Sequence, residues 1–105
     1  MGGRRWVESF SRTPSYRALT PPRPVIVDLD QALARDNPSL RTVLPLRVTA
    51  AGVQLTGYCA GFLHAWIRVN TGVWLAECTF TVQSGNHRAS LELRQWVPAS
   101  AVRPP

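Results

Sequence analysis

The chain has 105 residues and a formal net charge of +6, enough for one small domain close to the lower size at which a single core sustains itself. Its twelve basic residues are all Arg, so phosphate binding by a Walker-A lysine, Schiff-base chemistry and kinase-type ATP binding are excluded. No run approaches the roughly 18 apolar residues of a membrane span, and the N-terminus has no uninterrupted apolar core of a signal peptide; a cytoplasmic protein with no membrane partner is expected.

Residues 1–24 carry Arg4, Arg5, Arg12, Arg17 and Arg23 against Glu8 alone, scattered among Gly, Ser and Pro around Trp6, Phe10 and Tyr16. They end in Pro21-Pro22-Arg23-Pro24, where a polyproline II conformation is expected. This composition predicts a disordered, basic, Pro/Arg-rich leader whose five arginines can contact nucleic-acid phosphates without reading sequence.

Residues 25–40 predict an extended segment followed by a short helix. Val25-Ile26-Val27 suits an edge strand. Asp30 to Arg35 reads as one or two helical turns with Asp28 or Asp30 as N-cap, stopped by Asn37-Pro38. Asp28-Leu29-Asp30 resembles the paired aspartates of phosphatases that form aspartyl-phosphates, but the lysine those sites need is missing, which leaves capping as their expected role.

From residue 41 to 105 the pattern is β. Arg41 to Val48 predicts a strand with Pro45 on an edge or bulge, Ala50-Ala51-Gly52 a turn, Val53 to Cys59 a strand, and Gly61 a bend or bulge. Phe62 to Val69 alternates, with Leu63, Ala65, Ile67 and Val69 on one face and Phe62, His64, Trp66 and Arg68 on the other. After a turn at Asn70-Thr71-Gly72, two alternating runs, Trp74 to Val82 and Ala89 to Val97, read as a long hairpin joined by the polar loop 83–88. The expected fold is all-β: a small barrel of about five strands with one short helix.

Register follows from parity, because a slip of one residue turns every side chain to the wrong face. Pairing Val82 with Ala89 sets Phe80 opposite Leu91, Cys78 opposite Leu93 and Trp74 opposite Val97, with Glu77 facing Arg94 as an opposite-charge pair. A two-residue loop at Thr71-Gly72 then pairs Val69 with Trp74, Ile67 with Ala76, Ala65 with Cys78 and Leu63 with Phe80. The alternative loop brings Ala65 opposite Glu77 and buries a lone carboxylate, which is costly. The preferred register groups Trp66, Arg68, Leu75, Arg94 and Trp96 on the outer face of three strands, beside Val73. Such a patch marks a binding site, a self-association interface, or a surface covered by Val25 to Leu29.

Val73-Trp74-Leu75-Ala76, followed one hairpin later by Trp96-Val97-Pro98-Ala99-Ser100-Ala101-Val102, resembles the paired signature of SH3 domains. In those domains a Trp-Trp-x-Ala strand precedes a strand ending in Pro-Ser-Asn-Tyr-Val. The resemblance implies an SH3-like barrel with Ala76, Val97 and Val102 in the core and Pro98 opening a short 3₁₀ turn. It also marks departures. Val73 and Ala101 stand where peptide-gripping SH3 domains carry aromatics, and no Ala-Leu-Tyr-Asp-Tyr stretch precedes the hairpin.

No catalytic or cofactor motif is present. Cys59, His64, Cys78 and His87 lack a close Cys-x-x-Cys pair, and the expected register points His64 and Cys78 to opposite faces, so no metal site is expected and the cysteines are expected as buried free thiols. Gly-x-Ser-x-Gly and phosphate-cradling loops are absent. The expected function is that of a noncatalytic protein-interaction or assembly module acting through Trp66, Arg68, Leu75, Arg94 and Trp96, with an unidentified protein or a second copy as partner. The alternative is a small basic nucleic-acid-binding accessory protein, and the third is an enzyme whose site the sequence does not reveal.

Overall fold

A computed structural model of the chain describes residues 14–33 and 46–105. In chain order the elements are β1 (Tyr16–Asp28), α1 (Leu29–Ala32), α2 (Leu46–Ala51), β2 (Val53–Gln54), β3 (Tyr58–Arg68), β4 (Trp74–Ser84), β5 (Ser90–Pro98), a 3₁₀ turn (Ala99–Ala101) and β6 (Val102–Arg103). The architecture is all-β. Six strands form one antiparallel sheet in the order β2-β4-β3-β1-β6, with β5 also on β4. Gln83 pairs with Gln54 of β2 and with Ser90 of β5, so those two strands lie on opposite edges of β4. The ladders leave the sheet open and do not close the expected barrel.

The hairpin of β4 and β5 forms where alternation predicts it, with its register moved by two residues. Val82 lies opposite Leu91 rather than Ala89, Phe80 opposite Leu93 and Ala76 opposite Val97. A shift of two keeps every side chain on its expected face. Its cause is the turn. Ser84 donates its amide to the Ala89 carbonyl and receives the Ala89 amide on its hydroxyl, while the Asn86 side chain accepts from Ser84 and from the Arg88 amide. The chain therefore reverses over residues 85–88, and the strands extend into the expected loop. Amides of Gly85 and Asn86 donate to carbonyls of Gly52 and Ala50, anchoring this turn to the end of α2.

The core face gathers Val25, Val27, Leu29, Leu63, Ala76, Cys78, Phe80, Val82 and Val97. Ala76 and Val97 are fully buried and Val102 is half-buried, and the 3₁₀ turn begins directly after Pro98. Gly61 lies inside β3 where strands crowd together: a Cβ there would meet the Thr79 carbonyl oxygen at 2.6 Å and a Val27 methyl at 3.2 Å. Asp28 caps α1 by accepting from the Asp30 amide at 3.0 Å, the role expected of it.

Three further expectations are corrected. Residues 16–24 are not leader but strand: β1 begins at Tyr16 and pairs with β3 through Ile67, Trp66 and Ala65. Leu46 to Val48, expected as strand, belongs to the helix α2, which its run of small and aliphatic residues permits. Val53 to Cys59 is not one strand either, since Leu55 to Gly57 interrupt it. The remainder of the leader, residues 1–13, and residues 34–45 of the expected helix end and first strand lie outside the described residues.

Candidate binding site

A β-bulge in β3 decides which side chains share a face. Leu63 lies opposite Cys78, yet Ala65 lies opposite Glu77, so two residues of β3 match one step of β4 and His64 is the extra residue. A bulge of this kind reverses the alternation beyond it. Before it, Phe62 shares a face with Thr79; after it, Trp66 lies opposite Ala76 and Arg68 opposite Trp74. Directly opposed residues of an antiparallel pair point to the same face, so Trp66 and Arg68 turn to the core side while Ala65 and Ile67 turn away. Ala65 and Ile67 are buried but stand outside the core cluster, and Trp66 packs against it.

The expected outer patch is therefore divided. Trp66 and Arg68 belong to one face; Leu75, Arg94 and Trp96 belong to the other. The register set aside on electrostatic grounds, Ala65 opposite Glu77, is the observed one, because Glu77 is not alone. Its carboxylate accepts from the Tyr16 hydroxyl at 3.3 Å and from Arg94 Nε at 3.1 Å. Arg94 lies directly opposite Thr79 and reaches Glu77 diagonally, a distance that a long side chain spans. Tyr16 arrives from β1, whose residues 16–24 belong by composition to the expected leader.

On the core side, β1 supplies the residue that completes a basic aromatic cluster. Arg17 lies opposite Trp66. Its guanidinium sits over the Trp74 ring at 5.3 Å from the centroid, and that of Arg68 sits over the same ring at 4.7 Å. Each such contact is worth about 0.5–1 kcal/mol at an exposed site and more when desolvated. No ion pair links either arginine to a carboxylate among the described residues, and Arg68 Nε is buried without a hydrogen-bond acceptor. A cavity of about 310 Å³ opens between Arg17, Trp66 and Trp74. Trp66 also forms one wall of a second cavity of about 460 Å³, which runs over Leu19, Leu63, Val25 and Val102 and is bordered by Arg23 and Arg103. Among the described residues, no Asp or Glu lines either one.

The irregularity in β1 opposite the bulge makes room for this groove. Ala18 pairs with Ala65 and the next pair is Arg23 with Leu63, so Leu19 to Pro22 loop out of the ladder. Proline cannot donate to a ladder and is confined to such places. Arg17 and Arg23, expected in a nucleic-acid-binding tail, are thus fixed on a strand and border the groove, while Arg4, Arg5 and Arg12 lie outside the described residues.

The opposite face is more neutral. Glu77 and Arg94 form an ion pair, and His64 Nε2 lies 2.9 Å from Thr79 Oγ1. Burial holds the His64 pKa below the ordinary 6.5, the Arg94 charge adds to this, and Glu77 opposes it. Tyr16 is shifted above 10.0 by burial and by the Glu77 carboxylate. Trp96 is 55% exposed.

Neither cysteine is a ready nucleophile. Both are free; burial raises the Cys59 thiol, and burial followed by the Glu77 charge pushes Cys78 up to about 11. The protonated thiol is the weakly reactive form. Cys78 is buried as expected, whereas Cys59 is only half-buried. Among the described residues, no group of three or more His, Cys, Asp or Glu is placed to hold a metal ion, and no helix is long and apolar enough to cross a membrane.

No family model, curated protein or solved structure matches the chain. The sequence marks Arg17 only as one of the tail arginines and does not single out Trp74 or Leu19 as site residues. Trp74 falls on the expected core face, and Arg17 and Leu19 fall within the expected leader. The alternation Tyr16-Arg17-Ala18-Leu19 was the available signal for a strand, and the prolines beside it obscured that signal.

Proposed function

We propose that this protein is a noncatalytic interaction module that holds an acidic, partly apolar segment of a partner protein against Trp66 and Trp74. The observation carrying this reading is that two guanidiniums, Arg17 and Arg68, are drawn over one indole ring and form no ion pair with a carboxylate among the described residues. Two like charges beside an apolar groove favour an anionic ligand, since charge-assisted hydrogen bonds in a partly dry site are stronger than those between neutral groups. The adjoining cavity of about 460 Å³ is of the size that accepts apolar side chains. Protonated thiols and the missing catalytic motifs support a binding role over an enzymatic one. The path of the chain supports the SH3-like assignment that belongs to this proposal: the 3₁₀ turn leads from β5 into β6, which pairs with β1.

The nucleic-acid alternative fits the geometry less well. Single strands are bound by stacking bases on free aromatic faces, and guanidiniums already occupy the Trp74 ring. Trp96 is exposed but lies on the other face from Arg17 and Arg68.

Selection of displayed peptides on the full chain tests the proposal. The expected ligands carry Asp or Glu next to an aliphatic or aromatic residue, and Arg17→Ala or Arg68→Ala lowers their affinity about tenfold, the loss of one charge-assisted contact. Trp96→Ser leaves affinity unchanged. Ligands without carboxylates would contradict the proposal. So would binding of single-stranded oligonucleotides through the same two arginines with a steep salt dependence.

A further inference from the structure

We propose that β5 pairs with the β5 of a second copy of this chain, antiparallel and centred on Leu93, so that two sheets join across a two-fold axis. Among the described residues β5 is hydrogen-bonded to β4 alone, which leaves the polar groups of its other edge unpaired. Such an edge is a template for another strand unless it is blunted. Here it is nine residues long and carries exposed Leu91 and Trp96.

Symmetry narrows the register. A two-fold axis relating adjacent antiparallel strands stands perpendicular to the sheet, so each residue meets one of its own parity on the same face. Centring on Arg94 opposes two arginines, and centring on Glu92 opposes two glutamates, both unfavourable. Centring on Leu93 places Glu92 opposite the second copy's Arg94 twice over, Leu93 against itself and Leu91 opposite Gln95. The charges are available for this. Glu92 is exposed and has no ion pair among the described residues, while Arg94 is about half exposed and spends only Nε on Glu77. Arg94 has further guanidinium donors with which to meet a second carboxylate. The β5 edge is separate from the Arg17 and Arg68 groove, so failure of either proposal leaves the other standing.

Sedimentation of the full chain across micromolar to millimolar concentrations tests this. The wild type is expected as a monomer–dimer equilibrium. Glu92→Arg turns two attractive cross-strand pairs into repulsive ones and raises the dimer dissociation constant about 30-fold. Arg94→Glu does the same alone, and mixing the two variants restores a heterodimer, because the four charges then complement one another. Circular dichroism checks that each variant folds; Glu92→Arg keeps the Arg94 to Glu77 ion pair and decides the matter if Arg94→Glu does not fold. A wild type that stays monomeric at millimolar concentration, or a dimer indifferent to Glu92→Arg, overturns the proposal.

Discussion

Glu77, Arg68 and His64 carry the polar chemistry of the two sheet faces, and each is treated differently by its surroundings. Glu77 is half-buried but fully served by Tyr16 and Arg94, which is why a carboxylate beneath the sheet is tolerated. Arg68 keeps a buried Nε without an acceptor among the described residues, a state that raises its demand for an anionic partner. His64 is held in its neutral form, first by burial and then by the Arg94 charge. A histidine with a depressed folded pKa binds protons more readily in the unfolded chain. Its contribution to stability is therefore complete above 6.5 and is lost as the pH falls from 6.5 through the lowered folded value. Urea midpoints should fall between pH 7.5 and pH 5, and His64→Gln should flatten this part of the profile. The same slope in wild type and variant would refute the role given to His64.

At the scale of elements, two features mark β3, the bulge at His64 and the close approach of its neighbours at Gly61. The Gly61 position brings β3 within reach of the Thr79 carbonyl of β4 and the Val27 side chain of β1, leaving no room for a methyl. Gly61→Ala should lower unfolding free energy by about 1–3 kcal/mol in urea titration, the usual cost of overpacking; an unchanged midpoint would mean that the three strands can separate freely. The β4 and β5 hairpin was legible because an apolar period of two over both arms identifies the buried face whatever the pairing. Its pairing was less legible, since Ser84 and Asn86 shorten the turn through side-chain hydrogen bonds that no alternation records. The bulge left no mark at all: Phe62 to Val69 alternates without interruption, and the extra residue is visible only once Leu63 and Ala65 are matched to Cys78 and Glu77. β1 was hidden differently, by prolines that suggest a loose leader, of which Pro21 and Pro22 sit where the ladder with β3 is broken and Pro24 lies opposite Phe62 within it.

For the whole molecule, these local events determine what each side of the sheet offers to a partner. A regular strand would have collected Trp66, Arg68, Leu75, Arg94 and Trp96 into one outer patch. The bulge divides them, giving a basic aromatic groove shared by Arg17, Trp66, Arg68 and Trp74 and a face where Glu77 and Arg94 neutralise each other. The kinds of residue that form the site were thus readable, tryptophan and arginine in alternating strands, whereas their grouping was not, because it depends on one inserted residue and on a strand drawn from the N-terminal region. The most direct test follows the indole N–H signals of the tryptophans by NMR while an acidic peptide containing a leucine or phenylalanine is added to the full chain. Trp66 and Trp74 should shift together in a saturable manner while Trp96 stays in place. Movement of Trp96 with Trp66 and Trp74 unmoved would contradict the division of the two faces and the site built on it.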